Sequence, residues 1–392
     1  MIKKDRLVSK KREVDMRKKG FLSLLLVLLG LFFTSSWTLA QTVKIGIELP
    51  LTGYGAIYGE DGKRAVELAV EEVNATGGIN GKKVEAIFED DGGVGKTAVA
   101  ATQKLVTVDK VQVIIGGMMS SAALPAAPLA KENKVVFLST ISSHPELTGP
   151  GGYIYRIHTT DRVNANAAGK FATKVLKLRR GAGLAAASDY GRSLIKFTQA
   201  SFEKEGGTWL ITEDFAQGSN DFRSQLTKIK EKNPEVLFIA ATVREAAQMI
   251  RQMVELRMKM PVIGSSMLDD PALVTLTGEA ADMVYYHRVY AAGEEGKKRE
   301  EAFNERYKAK FPGKEPAIAA KYYYDGIGLV CAAMKSGGET GPGIDQGMRK
   351  IKDYPGLTGN ITFDRIGDRI FTAAIIKIDK GKPVETGFTN SD

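Results

Sequence analysis

The stretch Val111-Gln112-Val113-Ile114-Ile115-Gly116-Gly117, leading into Met118-Met119-Ser120-Ser121, sets the architecture. Val111 to Ile115 is a near-continuous apolar run, as expected of a parallel strand covered on both faces. An amphipathic segment at about 121–132 follows directly, so the unit reads strand, turn, helix. The same alternation extends in both directions. Strands are predicted at Val43–Leu49, Lys83–Glu89, Val135–Leu138, Gly183–Ala187, Trp209–Asp214, Glu235–Ala240, Pro261–Gly264 and Met283–Val289. Helices are predicted at about 60–75, 96–108, 163–178, 191–205, 221–232, 243–259, 298–310, 318–335 and 343–353. In the first of these Val66, Ala69, Val70 and Val73 share one face and Lys63, Glu67 and Glu71 the other, the spacing of a surface helix on a core.

A βαβα alternation reads as α/β with mostly parallel sheets. It supplies too many units for one open sheet, so two lobes are expected. The boundary is placed at His158-Thr159-Thr160-Asp161, after the run Gly149-Pro150-Gly151-Gly152, with a second crossing near His287–Ala292.

The composition excludes several function classes. The chain has 392 residues, 43% hydrophobic and 26% charged, which is a globular balance. Cys331 is the only cysteine, so no intrachain disulfide forms. The three histidines, His144, His158 and His287, are far apart in sequence and carry no zinc-hydrolase spacing. The net charge of +9 is concentrated at the start: nine Lys/Arg against three acidic residues in 1–40 leave only +3 for the remainder. No basic stripe interleaved with aromatics remains, which argues against nucleic acid.

Those first forty residues have the order of a secretory signal: a basic stretch ending Arg17-Lys18-Lys19, the apolar run Phe21–Phe33, then Thr38-Leu39-Ala40 as cleavage site. Thirteen helical residues rise roughly 20 Å, short of the roughly 30 Å of a hydrocarbon core, so the segment is read as a leader and not an anchor. Met1 and Met16 both remain as starts. The mature chain is expected to begin near Gln41, with no nearby cysteine for a lipid, in the periplasm.

Three motifs look chemical and fail. Gly53-Tyr54-Gly55 lacks the third glycine of a dinucleotide fingerprint, since position 58 is Tyr58. Gly95-Lys96-Thr97 lacks the leading glycine of a phosphate loop, since position 90 is Asp90. Asp90-Asp91 reads as a strand end and turn, without a third acidic ligand at a supporting spacing. No nucleophile elbow occurs, so catalysis, cofactors and metals find no support.

Several stretches together carry a family resemblance. Val43-Lys44-Ile45-Gly46-Ile47 leads to Leu51-Thr52-Gly53 and Tyr58-Gly59; Asn74-Ala75-Thr76-Gly77-Gly78-Ile79-Asn80-Gly81 closes the first helix. Asp90-Asp91, Ile114-Ile115-Gly116-Gly117 with Ser120-Ser121, Pro145-Glu146-Leu147-Thr148, Asp189-Tyr190-Gly191 and Tyr324-Asp325-Gly326 follow in order. The chain resembles the substrate-binding proteins of branched-chain amino acid ABC transporters, of the leucine/isoleucine/valine type, over essentially its whole mature length.

That resemblance implies a type I periplasmic-binding-protein fold: two doubly wound lobes with parallel sheets, joined by a three-strand hinge and closing on a small ligand like a Venus flytrap. The lobes are expected at 41–158 plus 288–359 and at 159–287 plus 360–392, the third crossing falling near Gly359-Asn360. Ligands of open α/β sheets sit beyond the carboxyl ends of strands, and clefts between lobes favour them.

Carried over residue by residue, the family's carboxylate-binding serine falls on Ser120 and its second binding loop on Ile141-Ser142-Ser143, Ser143 standing where a threonine is common. Tyr58 and Tyr190 match aromatic wall positions, Tyr324 a far-lobe or hinge aromatic, and Met118 and Met119 line the cleft beside Ser120. Two departures stand out. The acid that usually follows the strand Pro261–Gly264 and pairs the ligand ammonium is replaced by Ser265-Ser266-Met267, with acids only at Asp269 and Asp270. A common tyrosine after Ala240-Ala241 is replaced by Thr242. An unpaired buried ammonium costs several kcal/mol. So either Asp269 or Asp270 turns inward, or the ligand lacks a free α-ammonium. The implied function is a monomeric periplasmic receptor that hands an amino acid or related small organic acid to ABC permease subunits; the alternative is a ligand-sensing domain for small amides or carboxylates.

Overall fold

The computed structural model describes residues 42–289, 293–370 and 373–389. The expected leader and its cleavage point at Ala40 lie outside the described residues.

The chain opens with β1 (Val43–Leu49), α1 (Ala56–Ala75), β2 (Val84–Asp90), α2 (Gly95–Thr107), β3 (Val113–Gly116), α3 (Ser120–Glu132), β4 (Val136–Ser139) and β5 (Ile154–Arg156). These strands make a parallel five-stranded sheet in the order β2-β1-β3-β4-β5. β3 and β4 are buried at every residue, as their apolar composition requires of strands covered on both faces.

A second series follows: α4 (Asp161–Lys170), which runs into a π-helical turn at Phe171–Val175, then β6 (Arg180–Ala186), α5 (Asp189–Lys204), β7 (Thr208–Phe215), α6 (Arg223–Glu231), β8 (Val236–Ala240), α7 (Val243–Glu255), β9 (Val262–Gly264), α8 (Ala272–Thr277) and β10 (Val284–Val289). After β10 come α9 (Gly293–Lys310), α10 (Ile318–Gly337), α11 (Gly341–Arg349), the short ribbon β11 (Tyr354–Gly356) and β12 (Gly359–Ile361), and finally β13 (Ala373–Asp379) and β14 (Lys382–Thr389). The second sheet has seven strands, β14-β13-β10-β9-β8-β6-β7, parallel except for the antiparallel additions β13 and β14.

The helices after β10 return to the first sheet system. α10 lies along α1, and the approach is close at Gly62, where an added Cβ would sit 2.8 Å from the Tyr323 ring. The Tyr323 hydroxyl donates to the Glu48 carbonyl at 2.7 Å, and the buried Asp61 carboxylate accepts from Tyr307 at 2.7 Å and from the Ala320 amide at 2.9 Å. Cys331, on α10, is buried and its thiol is pushed up to about 11 by that burial. Among the described residues no helix is long and apolar enough to cross a membrane.

The alternation of strands and helices expected almost to the chain end stops after β10, where three helices and then four strands follow in a row. β13 and β14 form an antiparallel hairpin turned at Gly381, and β14 carries mostly exposed, polar positions that have no apolar run to announce a strand. β5, three residues long, also escapes a pattern reading. Gly359-Asn360, the expected third crossing, forms β12 of the ribbon, and the chain enters the seven-stranded sheet only at Ala373.

Candidate functional site

The loops beyond the carboxyl ends of β1, β3, β4, β6, β7, β8 and β9 converge on a single cavity. That is where two facing parallel sheets place a ligand. One wall belongs to the first sheet. Gly117 makes the turn out of β3 with φ +60°, and an added Cβ there would come within 2.9 Å of Phe137, so glycine is required. The turn presents Met118 and Met119 and starts α3 at Ser120. The loop after β4 is strapped to this turn by the Ser142 amide, which donates to the Gly117 carbonyl at 2.9 Å, and by the Ser142 hydroxyl, which donates to Ser120 Oγ at 3.0 Å. Ser120, Ser142 and Ser143 are all buried.

The opposite wall comes from the second sheet. Ser188 caps α5 by accepting from the Gly191 amide at 3.2 Å, and the Tyr190 hydroxyl donates to Ser265 Oγ at 2.5 Å. Burial pushes the Tyr190 phenol far above its ordinary range. Thr242 precedes α7, and Glu245 reaches back to it: Glu245 Oε2 accepts from the Thr242 amide and hydroxyl, both at 2.9 Å, while Oε1 accepts from the Gly218 amide at 2.8 Å. The start of α3, which has no side-chain cap, faces this space and favours an anion there, whereas the starts of α5 and α7 are capped by Ser188 and Glu245.

Two buried histidines support this wall: His158 lines the cavity, and His287 lies behind Ser266. His158 Nδ1 meets the Thr159 carbonyl at 3.1 Å and its Nε2 meets Ser266 Oγ at 2.8 Å; the Ser266 amide donates to His287 Nε2 at 3.1 Å. Burial, with the Arg156 and Arg369 charges as lesser causes, holds His158 down at about 4; burial and then His158 hold His287 down at about 3. Both imidazoles are neutral at neutral pH. Asn164, on α4, also lines the cavity, and its Oδ1 is buried without a hydrogen-bond partner.

Of the residues expected at the site, Met118, Met119, Ser120, Ile141, Ser142, Ser143, Tyr190, Thr242 and Ser266 line this cavity together. Tyr58 does not: it is buried behind the wall, where its phenol oxygen accepts the Val243 amide at 2.9 Å. Asp269 points elsewhere as well. Arg288 grips both of its oxygens, Nε at 2.7 Å, with the Tyr286 hydroxyl at 3.2 Å, beside a separate cavity. Asp270 caps α8 through the Ala272 amide at 2.8 Å. Neither aspartate turns into the cleft. Tyr324 lies on the α1–α10 side, donating to Glu72 at 2.5 Å and accepting from Arg306 at 3.1 Å.

Pattern reading missed Tyr54, His158, Asn164, Ser188, Gln217, Glu245 and Ser265 on the wall. Ser188 and Glu245 carry detectable helix-start signals, but Gln217 sits in a loop with none. Asp90 organises the turn after β1, accepting from the Leu51, Thr52 and Gly92 amides and the Thr52 hydroxyl. Among the described residues no group of three or more metal-ligating side chains comes together.

The model of the family described as periplasmic binding protein matches residues 42–382. The chain belongs to the periplasmic binding protein family. It is 29% identical, over 93% of its length and 97% of the relative's, to a protein named amino acid binding protein from Pseudomonas aeruginosa. It superposes with a TM-score of 0.80 and 27% identity on the branched-chain amino acid transporter substrate-binding protein LivJ of Streptococcus pneumoniae in complex with isoleucine, covering 89% of this chain and 99% of that one. A solute-binding protein of an ABC transporter from Rhodopseudomonas palustris, in complex with 3,4-dihydroxybenzoic acid, matches with a TM-score of 0.76 and 27% identity over 88% of this chain and 96% of that one. This periplasmic binding protein thus has the two-lobed type I fold and is a substrate-binding protein of the branched-chain amino acid ABC-transporter type. The family is one of solute binders, which is not an enzyme class.

Proposed function

We propose that this periplasmic binding protein captures a compact carboxylate with an apolar body, an amino acid or a related organic acid, and delivers it to ABC permease subunits in the inner membrane. The observation that carries the reading is the Ser120–Ser142 hydroxyl pair at the start of α3, beside Ser143 and facing Met118, Met119 and Tyr190 across one cavity. Hydroxyls and unpaired helix amides hold a carboxylate, while the thioethers and the phenol ring cover the rest. Lobe closure stabilises the bound form because the guest touches both walls, and no covalent step is involved.

In this reading one lobe comprises 41–158 and the segments that return after β10, the other 159–287 and the β13–β14 hairpin, the protein acts as a monomer, and a leader cleaved after Ala40 exports it. Sequencing the amino terminus of exported protein tests the last point, with Gln41 as the expected first residue. Mass spectrometry of the small molecule that copurifies, followed by calorimetric titration of that molecule, tests the cargo. A neutral or cationic guest without a carboxylate overturns the assignment of the serines.

Glu245 supports a second reading of the cargo. It is the one carboxylate on the cavity wall among the described residues, and three donors leave it room for one more. A free α-amino acid could place its ammonium there.

A further inference from the structure

The hydroxyl of Ser266 stands on the cavity wall, and the two histidines fix what it can offer. The Thr159 carbonyl has only lone pairs, so His158 Nδ1 must bear the proton of the neutral ring. His158 Nε2 is then an acceptor, and the hydrogen in its 2.8 Å contact with Ser266 Oγ comes from the serine. The Ser266 amide is consumed in the same way by His287 Nε2. Residue 266 has therefore committed both of its donors and presents lone pairs alone. Asn164 Oδ1 adds a second buried acceptor without a partner on the same cavity. Both acceptors are neutral. Of the acids nearby in sequence, Asp269 is held by Arg288 and Tyr286 and Asp270 by the Ala272 amide, so neither supplies a counter-charge.

We infer that Ser266 determines specificity: the cargo sets a neutral hydrogen-bond donor, a hydroxyl or amide N–H, and not an ammonium, against its oxygen. His158 and His287 act as positioning residues that hold the serine in this orientation. The inference rests on the carboxylate-receptor reading above and narrows it. A neutral donor satisfies Ser266 Oγ, whereas an ammonium at the same spot is desolvated without a charge partner. A hydrogen atom in its place leaves a buried acceptor unmet.

Two matched series test this by calorimetric titration: leucine, 2-hydroxy-4-methylpentanoate and 4-methylpentanoate, and phenylalanine, 3-phenyllactate and 3-phenylpropanoate. In at least one series the hydroxy acid is expected to bind about tenfold or more tighter than both the amino acid and the unsubstituted acid. Ser266→Ala should bring the hydroxy and unsubstituted acids to within about twofold of each other, and Ser266→Thr should restore the difference, which general damage to the fold would not do. Should the alanine variant not fold, the ranking in the native protein decides alone. Tighter binding of an amino acid than of its hydroxy analogue overturns the inference and leaves the receptor reading standing, with Glu245 as the ammonium partner. Retention of the hydroxy-acid advantage in Ser266→Ala also overturns it. No heat with any of the six removes the carboxylate-receptor reading and this inference together.

Discussion

The phenol oxygen of Tyr58 accepts the backbone N–H of Val243 at 2.9 Å, joining the helix that follows β1 to the helix that follows β8. The bond ties one lobe to the other beside the cavity without touching its interior. Tyr58→Phe removes the acceptor and leaves the amide at the start of α7 unpaired. The variant is expected to sample a more open form, seen as a larger radius of gyration by X-ray scattering, and to bind the copurified cargo about tenfold more weakly, on the scale of one hydrogen bond. Unchanged dimensions and affinity would mean that the contact plays no part in closure.

The serine pair should matter more. Ser120→Ala removes a hydroxyl that faces the proposed carboxylate and strands the Ser142 hydroxyl that donates to it. Bonds to a charged group contribute about 1.5–3 kcal/mol, so a loss of roughly 10- to 100-fold in affinity is expected by titration, with a small fall in melting temperature from the stranded Ser142 hydroxyl.

Acid should weaken the fold through its two histidines. An unfolded imidazole titrates near 6.5, whereas burial holds His158 at about 4 and His287 at about 3. Arg156 and Arg369 further disfavour a proton on His158, while the Asp269 charge favours one on His287. Between those values the unfolded chain binds more protons, so stability is full above about pH 6.5 and falls as the pH drops through the window. By pH 4 each histidine has removed about 3 kcal/mol of that stability. Urea titrations at pH 7 and pH 4.5 would measure the loss, and a flat profile would contradict the buried neutral pair.

At the alkaline end the sign reverses. Glu48 is buried on β1 with its Oε1 accepting from Thr102 at 2.5 Å, and burial pushes its carboxyl up to about 8, the charges of Asp91 and Glu89 adding to the shift. The folded protein holds this proton more tightly than the unfolded chain, so the contribution is full below about pH 4.5 and is lost as pH rises through 8. Glu48→Gln should therefore match the native protein at pH 5 and exceed it by up to about 4 kcal/mol at pH 9.

A charged clamp behind the site makes a separate stability test. Arg156, with no exposed surface, donates to Asp368 Oδ1 from Nε at 2.9 Å and Nη2 at 2.5 Å, to the His144 carbonyl and to Thr148 Oγ1. Asp368→Ala leaves that guanidinium buried and uncompensated, a change of about 3 kcal/mol or more in chemical unfolding.

The legible parts of the sequence were those whose local pattern has a single physical solution. β1 is read to the residue because Val43–Leu49 is apolar and bounded by a turn. The run Asn74 to Gly81 reads as a family signature, and its chemistry is local: the Asn74 amide pairs with both backbone groups of Val84, and Gly77, Gly78 and Gly81 take positive φ. Thr148, from the Pro-Glu-Leu-Thr run, donates to Asp368 at 2.6 Å and so serves the Arg156 clamp. Asp269 was not legible, because its partner Arg288 arrives nineteen residues later, when β10 pairs alongside β9. Glu245 hides as an ordinary helix-start acid, and only the fold reveals that its helix begins at the cavity. Tyr58 shows the converse: it matches an aromatic wall position in the sequence, but the direction its side chain takes depends on the lobe opposite.

Cys331 gives the molecule a built-in clock. Its sulfur is packed inside α10 and its ionisation is suppressed, so a maleimide in solution can reach it only after that helix leaves the body of the protein. Labelling under native conditions then times global unravelling and stays silent to hinge motion, and a guest that slows the labelling reports how firmly its capture locks the whole chain.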